Sequence, residues 1–163
     1  MLAVSNTSPI SNLASIGRLE LLRSQFSVLW IPTAVASELA AHPDPSAAEA
    51  IRAAIREQWI RTAKPKDSGL LKVLLLDLHR GEAEAIALAS EMNADLVLID
   101  EREGRGIAAE AGFSVTGVLG VLLRAKQTGE IQAVKPEIEA LRFRARFFIA
   151  ASLQTRVLAS AGE

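Results

Sequence analysis

Leu96-Val97-Leu98-Ile99 is four consecutive aliphatic residues closed off by Asp100. A strand with one wet face alternates polar and apolar residues, whereas a strand covered on both faces reads as a continuous apolar run. Asp95 to Ile99 is therefore read as a buried strand in a parallel sheet. Parallel neighbours need long crossovers, usually helical, so this one run commits much of the chain to strands separated by helices.

The rest of the sequence supplies them. Met1 to Ser5 is a short apolar strand, followed at once by a helix start with Ser8 as N-cap and Pro9 at N1. Ile10, Leu13, Ala14, Leu19 and Leu22 keep a helical period that Gly17 breaks into two short helices. Ser27 to Ile31 is the second strand, Pro32 opens a helix that stops near His42-Pro43, and Pro45 to Gln58 is an amphipathic helix. Trp59 to Ala63 reads as an edge strand, Leu70 to Leu78 as a helix, and Gly81 as a break before the helical Glu82 to Ala89. Glu101 to Ala111 is helix, Phe113 to Thr116 strand, Val118 to Gln127 helix, and the last thirty or so residues are helical. The expected fold is a three-layer α/β/α sandwich on a parallel sheet, with ligands beyond the carboxyl ends of its strands.

With 163 residues, half of them hydrophobic, the chain suits one domain, residues 1–163, with a core to about residue 130 and a C-terminal helical extension beyond it. No apolar run approaches the roughly 18 residues of a membrane span, and no secretory signal precedes the first strand, so a cytoplasmic protein is expected. The absence of cysteine excludes disulfides, thiolate zinc sites and cysteine nucleophiles. Net charge is only −1, but Asp77 to Glu110 holds nine acidic and three basic residues. Acids gathered in a pocket with cations around it would suit a metal site handling a polyanion; two solvated helix faces would give the same count.

Gly104-Arg105-Gly106-Ile107-Ala108-Ala109 matches a dinucleotide fingerprint in form, but four residues separate it from the strand and no acid ends the next strand. His42 and His79 stand in no zincin or hydrolase motif and read as surface residues. Hard cations want several oxygen ligands from different elements, which points to carboxylates. Asp100 ends a buried strand, where it can serve a site or cap the following helix. Glu82 and Glu84 open a helix whose dipole favours them there in any case. Glu38 lies on the flank of a helix, and Asn6 ends the first strand and can brace the next turn. In Arg142-Phe143-Arg144-Ala145-Arg146-Phe147-Phe148, cations and aromatics alternate as on single-strand binding surfaces. Burial of the three phenylalanines with snorkelling arginines is the simpler reading.

Taken in order, Val4-Ser5-Asn6-Thr7-Ser8-Pro9-Ile10, Ile31-Pro32-Thr33-Ala34-Val35-Ala36-Ser37-Glu38-Leu39, Gly81-Glu82-Ala83-Glu84-Ala85 and Leu98-Ile99-Asp100-Glu101-Arg102 resemble the PIN-domain superfamily of nucleases. More closely, the chain resembles its DUF3368 group, including the segment Gly117 to Lys126. The resemblance spans nearly the whole chain. It implies a divalent-metal-dependent ribonuclease that uses Mg²⁺ or Mn²⁺, with Asn6, Glu38, Glu82 and Asp100 on the four catalytic and metal-binding positions. Ser8, Arg102 and Arg105 would contact metal-bound water or substrate phosphates, with Glu84 and Glu101 as extra acids. It also implies RNA as the partner, a homodimer, and the role of toxin in a toxin–antitoxin pair held by an antitoxin protein. The superfamily's first acid is Asp, and Asn6 offers a neutral oxygen in its place. A nucleic-acid- or protein-binding module with weak or no catalysis is therefore the alternative expectation.

Overall fold

The computed structural model describes residues 1–163. Five strands and ten helices follow in the order β1 (Ala3–Ser5), α1 (Thr7–Ser15), α2 (Glu20–Phe26), β2 (Leu29–Pro32), α3 (Thr33–Ala40), α4 (Pro45–Arg56), β3 (Ile60–Ala63), α5 (Gly69–Leu74), α6 (Arg80–Met92), β4 (Leu96–Leu98), α7 (Arg102–Glu110), β5 (Ser114–Thr116), α8 (Val118–Gln127), α9 (Lys135–Arg144) and α10 (Ala151–Ser160). The sheet is wholly parallel in the order β3-β2-β1-β4-β5, with β3 and β5 as edges.

Strand alternation explains the three layers. Ala3, Leu29, Ile31 and Leu98 point into the larger core, packed with α1, α2, α8 and α9. Val4, Val97 and Ile99 point the other way, onto α5, α6 and Ala108 of α7. Leu96 to Ile99 lacks visible periodicity because side chains on both faces are covered.

Several local readings change in the folded chain. The N-cap of α1 is Asn6, without a side-chain cap bond, and Pro9 sits in the third helical position rather than the first. Ser8 therefore does not cap α1; its hydroxyl goes to Asp100. Gly81 lies inside the first turn of α6 and breaks nothing. A Cβ there would meet Glu38 Oε1 at 2.8 Å, so glycine permits the close approach of α6 to α3. Gly104 is likewise a packing glycine on α7, against Ile99. His42 is not a free surface residue: its Nε2 pairs with Ser15 Oγ at 3.0 Å, and its Nδ1 accepts from the Asp44 amide, bracing the turn into α4.

The C-terminal helices are packed onto the larger core through Val134, Ile138, Leu141, Ile149 and Val157. Glu137 of α9 accepts two bonds from Arg18 Nε and one at 2.7 Å from Nη2, while Glu163 accepts from the Val134 amide and Lys126 Nζ. Glu137 is buried and Arg18 is near the surface, so removing the carboxylate strands a guanidinium that water can reach. Glu137→Ala is expected to cost about 1.5–2 kcal/mol, the lower range for charged hydrogen bonds. Urea unfolding of the variant against wild type checks it.

Candidate active site

β1 is flanked by β2 on one side and β4 on the other, so successive connections leave the sheet in opposite directions at its carboxyl end. Such a point opens a crevice beyond the strands. Asn6 follows β1, Glu101 follows β4, Glu38 arrives on α3 after β2, and Glu82 stands in the first turn of α6. These four line one cavity of about 550 Å³ that has no hydrophobic lining residue.

The groups hold one another in place. Asn6 Nδ2 donates to Glu101 Oε2 at 2.9 Å, and Thr7 Oγ1 donates to Glu38 Oε2. Asn6 is 3% exposed, and its Oδ1 is the buried side-chain polar atom that finds no partner. Burial pushes the Glu82 carboxyl above the usual carboxylate range, Glu101, Glu103 and Glu38 push it further, and only His79 opposes them. His79 and Arg80 also line the cavity.

Asp100 stands beside this cavity rather than in its lining. Its Oδ1 accepts from the Val118 amide at 2.7 Å; its Oδ2 accepts from Ser8 Oγ at 2.9 Å and Asn12 Nδ2 at 3.3 Å. Its pKa is raised, by burial first and by the charge of Glu101, and the Val118, Ser8 and Asn12 donors offset only part of that. The helix that Asp100 caps is α8, eighteen residues on, whereas α7 has Glu101 as N-cap with no side-chain bond.

Glu84 does not join the other acids. It is buried, accepts from the Ala34 amide at 3.2 Å, and pairs with Arg80 at 3.3 Å. It thereby supplies the cap that Pro32 cannot give α3. Arg105 donates to the Ile99 carbonyl at 3.0 Å and lines a second cavity, while Arg102 is exposed with no ion pair. Thr7, Asn12, His79 and Arg80 were not singled out as site residues from the sequence. Asn12 lies one turn after Ser8, a spacing that puts both on one face of α1.

The donor chemistry fits a hard divalent cation: an unpartnered amide oxygen and three carboxylates, each of which keeps at least one oxygen free of protein bonds. No three acids or histidines converge as a preformed metal cage. A tight constraint lies behind the site. A Cβ on Gly117 would come within 2.5 Å of Asp100 Oδ1, at the carboxylate that holds α8. Gly117→Ala is expected to lower stability by about 1–3 kcal/mol, as overpacking does, and chemical denaturation will read the loss.

Residues 2–163 match the DUF3368 family, described as a PIN domain. Among solved structures, a PilT N-terminus domain protein from the hyperthermophilic archaeon Sulfolobus solfataricus P2 is similar at 24% identity, over 77% of this chain and 93% of that one, with a TM-score of 0.46. No curated protein matches the sequence. No helix is long and apolar enough to cross a membrane. PIN domains are a nuclease-type fold and usually work with divalent metals, and a match over nearly every residue makes this chain a member of the DUF3368 family of PIN domains.

Proposed function

We propose that the protein is a metal-dependent nuclease that hydrolyses phosphodiester bonds of RNA at the cavity between Asn6, Glu38, Glu82 and Glu101. The observation that carries this reading is the orphaned Asn6 Oδ1 among crowded carboxylates. An unpaired buried acceptor costs free energy, and so does a carboxyl pushed up by its neighbours. A bound cation would relieve both.

Asn6, Glu38, Glu82 and Glu101 would hold Mg²⁺ or Mn²⁺. When bound, such a cation polarises a phosphoryl oxygen and lowers the pKa of attacking water. The chain's own residues do the positioning. Thr7 and Asn6 orient Glu38 and Glu101, Glu82 stands at the positive end of α6, and Arg80 brings a guanidinium and His79 an imidazole to the same cavity. Asp100 acts through Ser8 and Asn12, which line the cavity and donate to its carboxylate. Toxicity within a toxin–antitoxin pair, an antitoxin partner and a homodimer belong to the same proposal on family grounds.

Glu82→Gln is the cleaner test of the site, because Asp100→Asn also disturbs the start of α8. Wild type is expected to cleave an RNA pool in Mn²⁺ and not in EDTA, and Glu82→Gln to lose cleavage by at least tenfold while staying folded. Binding to the native state alone adds about 2.7 kcal/mol at a hundred times Kd, so the melting temperature should climb with Mn²⁺ in wild type and much less in Glu82→Gln. Equal cleavage and equal metal stabilisation would reject the assignment.

The alternative, a PIN domain that binds without cutting, is favoured by Asn6 itself. An amide donates to Glu101 where a carboxylate would repel it. Asn6→Asp places a carboxylate oxygen about 2.9 Å from Glu101 Oε2. The variant should therefore melt below wild type in EDTA and recover in Mn²⁺. Cleavage that appears only in Asn6→Asp would select the binding-module reading; cleavage already present in wild type would dismiss it.

A further inference from the structure

The turn between α9 and α10 has no part in the chemistry above. The expectation that Phe143, Phe147 and Phe148 are all buried fails: Phe143 is 90% exposed and Phe148 86%, and only Phe147 packs against the larger core. The helical period breaks at Arg146, which takes a left-handed φ of 52° and ends α9. The Phe147 amide then returns to the Leu141 carbonyl at 3.1 Å. Phe147 and Ile149 hold the turn down, and the residue between them, Phe148, is held out in water.

The surroundings of Phe148 are cationic. Residues 140–162 carry Arg142, Arg144, Arg146 and Arg156 and no acid, and none of these arginines forms an ion pair. Arg142 donates to Gln154 and ties α9 to α10. Arg146, Phe147 and Phe148 form one side of a cavity of about 360 Å³, whose other side includes Ser8, Asn12 and Glu101. Those three residues also line the acidic cavity, so the two are contiguous. An exposed ring and the unpaired Arg146 guanidinium thus adjoin the place proposed for the scissile phosphate.

We propose that the Ala145–Phe148 turn binds a single-stranded nucleic acid, with Phe148 stacking on an unpaired base and Arg144 and Arg146 holding phosphates beside the cleaved one. The inference deepens the nuclease reading and rests on the acidic cavity taking a phosphodiester. Stacking on an aromatic ring requires a base with a free face, which duplex interiors do not offer. The turn would therefore select unpaired segments. Charge decides for a polyanion: four cations without a counter-acid suit phosphates along a strand, and a neutral apolar partner would leave them unpaired.

The test is fluorescence anisotropy in EDTA, where cleavage is absent, with a labelled uridine 12-mer, the DNA 12-mer of matching sequence, and a 12-base-pair RNA duplex. The 12-mer should bind wild type more tightly than the duplex does. Phe148→Ala should weaken 12-mer binding about tenfold and leave duplex binding unchanged, and Phe148→Trp should retain it. Each phosphate contact removed by Arg144→Gln or Arg146→Gln should reduce the slope of log affinity against log salt by about 0.7. Equal binding of RNA and DNA supports a site that reads base and phosphate and not the sugar. Wild-type affinity in Phe148→Ala with an unchanged salt slope in the arginine variants overturns the proposal, as does failure of wild type to bind the 12-mer. Metal-dependent cleavage is read separately. Unchanged binding in Phe148→Ala alongside cleavage by wild type rejects the turn and keeps the nuclease. Weakened binding in Phe148→Ala without cleavage by wild type keeps the turn and rejects the nuclease.

Discussion

The carboxylate of Asp100 is the contact on which the surrounding geometry depends. It leaves the end of β4 and reaches two helices at once: the Val118 amide at the start of α8, and Ser8 and Asn12 on one face of α1. Ionised, a carboxylate only accepts, and here every bond it makes runs to a donor. Desolvation and the neighbouring Glu101 work against that charge, and the three donors offset them only in part. The result sets α1 relative to β4, which places Asn6, at the head of α1, within reach of Glu101, the residue after Asp100. One wall of the acidic cavity is thus defined by a group that does not line it.

Crowding carboxylates around a cavity costs energy that the fold offsets only in part. Glu101 is answered by the Asn6 amide, Glu38 by the Thr7 hydroxyl, and Glu82 by its position in the first turn of α6. Gly81 lets that turn approach Glu38 without a clash. Glu82 remains the least compensated, since burial and three neighbouring carboxylates all act against its charge. The amide of Asn6 adds no charge to the crowd, and its Nδ2 gives Glu101 a donor. Its Oδ1 is left orphaned.

The sheet was legible because parallel strands announce themselves: all five strands lie where apolar runs and turn residues put them, including the edge position of β3. The partners of polar groups were less so. Nothing local to Asp100 tells that its helix is α8 and not α7, since the decisive donor is eighteen residues away and close only after folding. Glu82 and Glu84 look alike as letters, yet residues two apart on a helix lie about 200° apart around its axis. One reaches the cavity and the other caps α3. That difference was available from helical geometry once the helix was placed. The fate of the C-terminal phenylalanines was not, because a left-handed residue at Arg146 ends the period that would have buried them.

The uneven charge along the chain acquires its meaning in space. The acid-rich stretch from Asp77 to Glu110 and the acid-free stretch from 140 to 162 are far apart in sequence and opposite in charge. Folding sets them edge to edge, with Glu101 and Asp100 on one side of a shared cavity and Arg146 on the other. Two opposite patches that only needed to neutralise each other would form ion pairs across that boundary, and none forms here. Both remain open to outside charge, the acids to a cation and the arginines to an anion. A ligand that satisfies both together is a phosphate chain with its counter-cation.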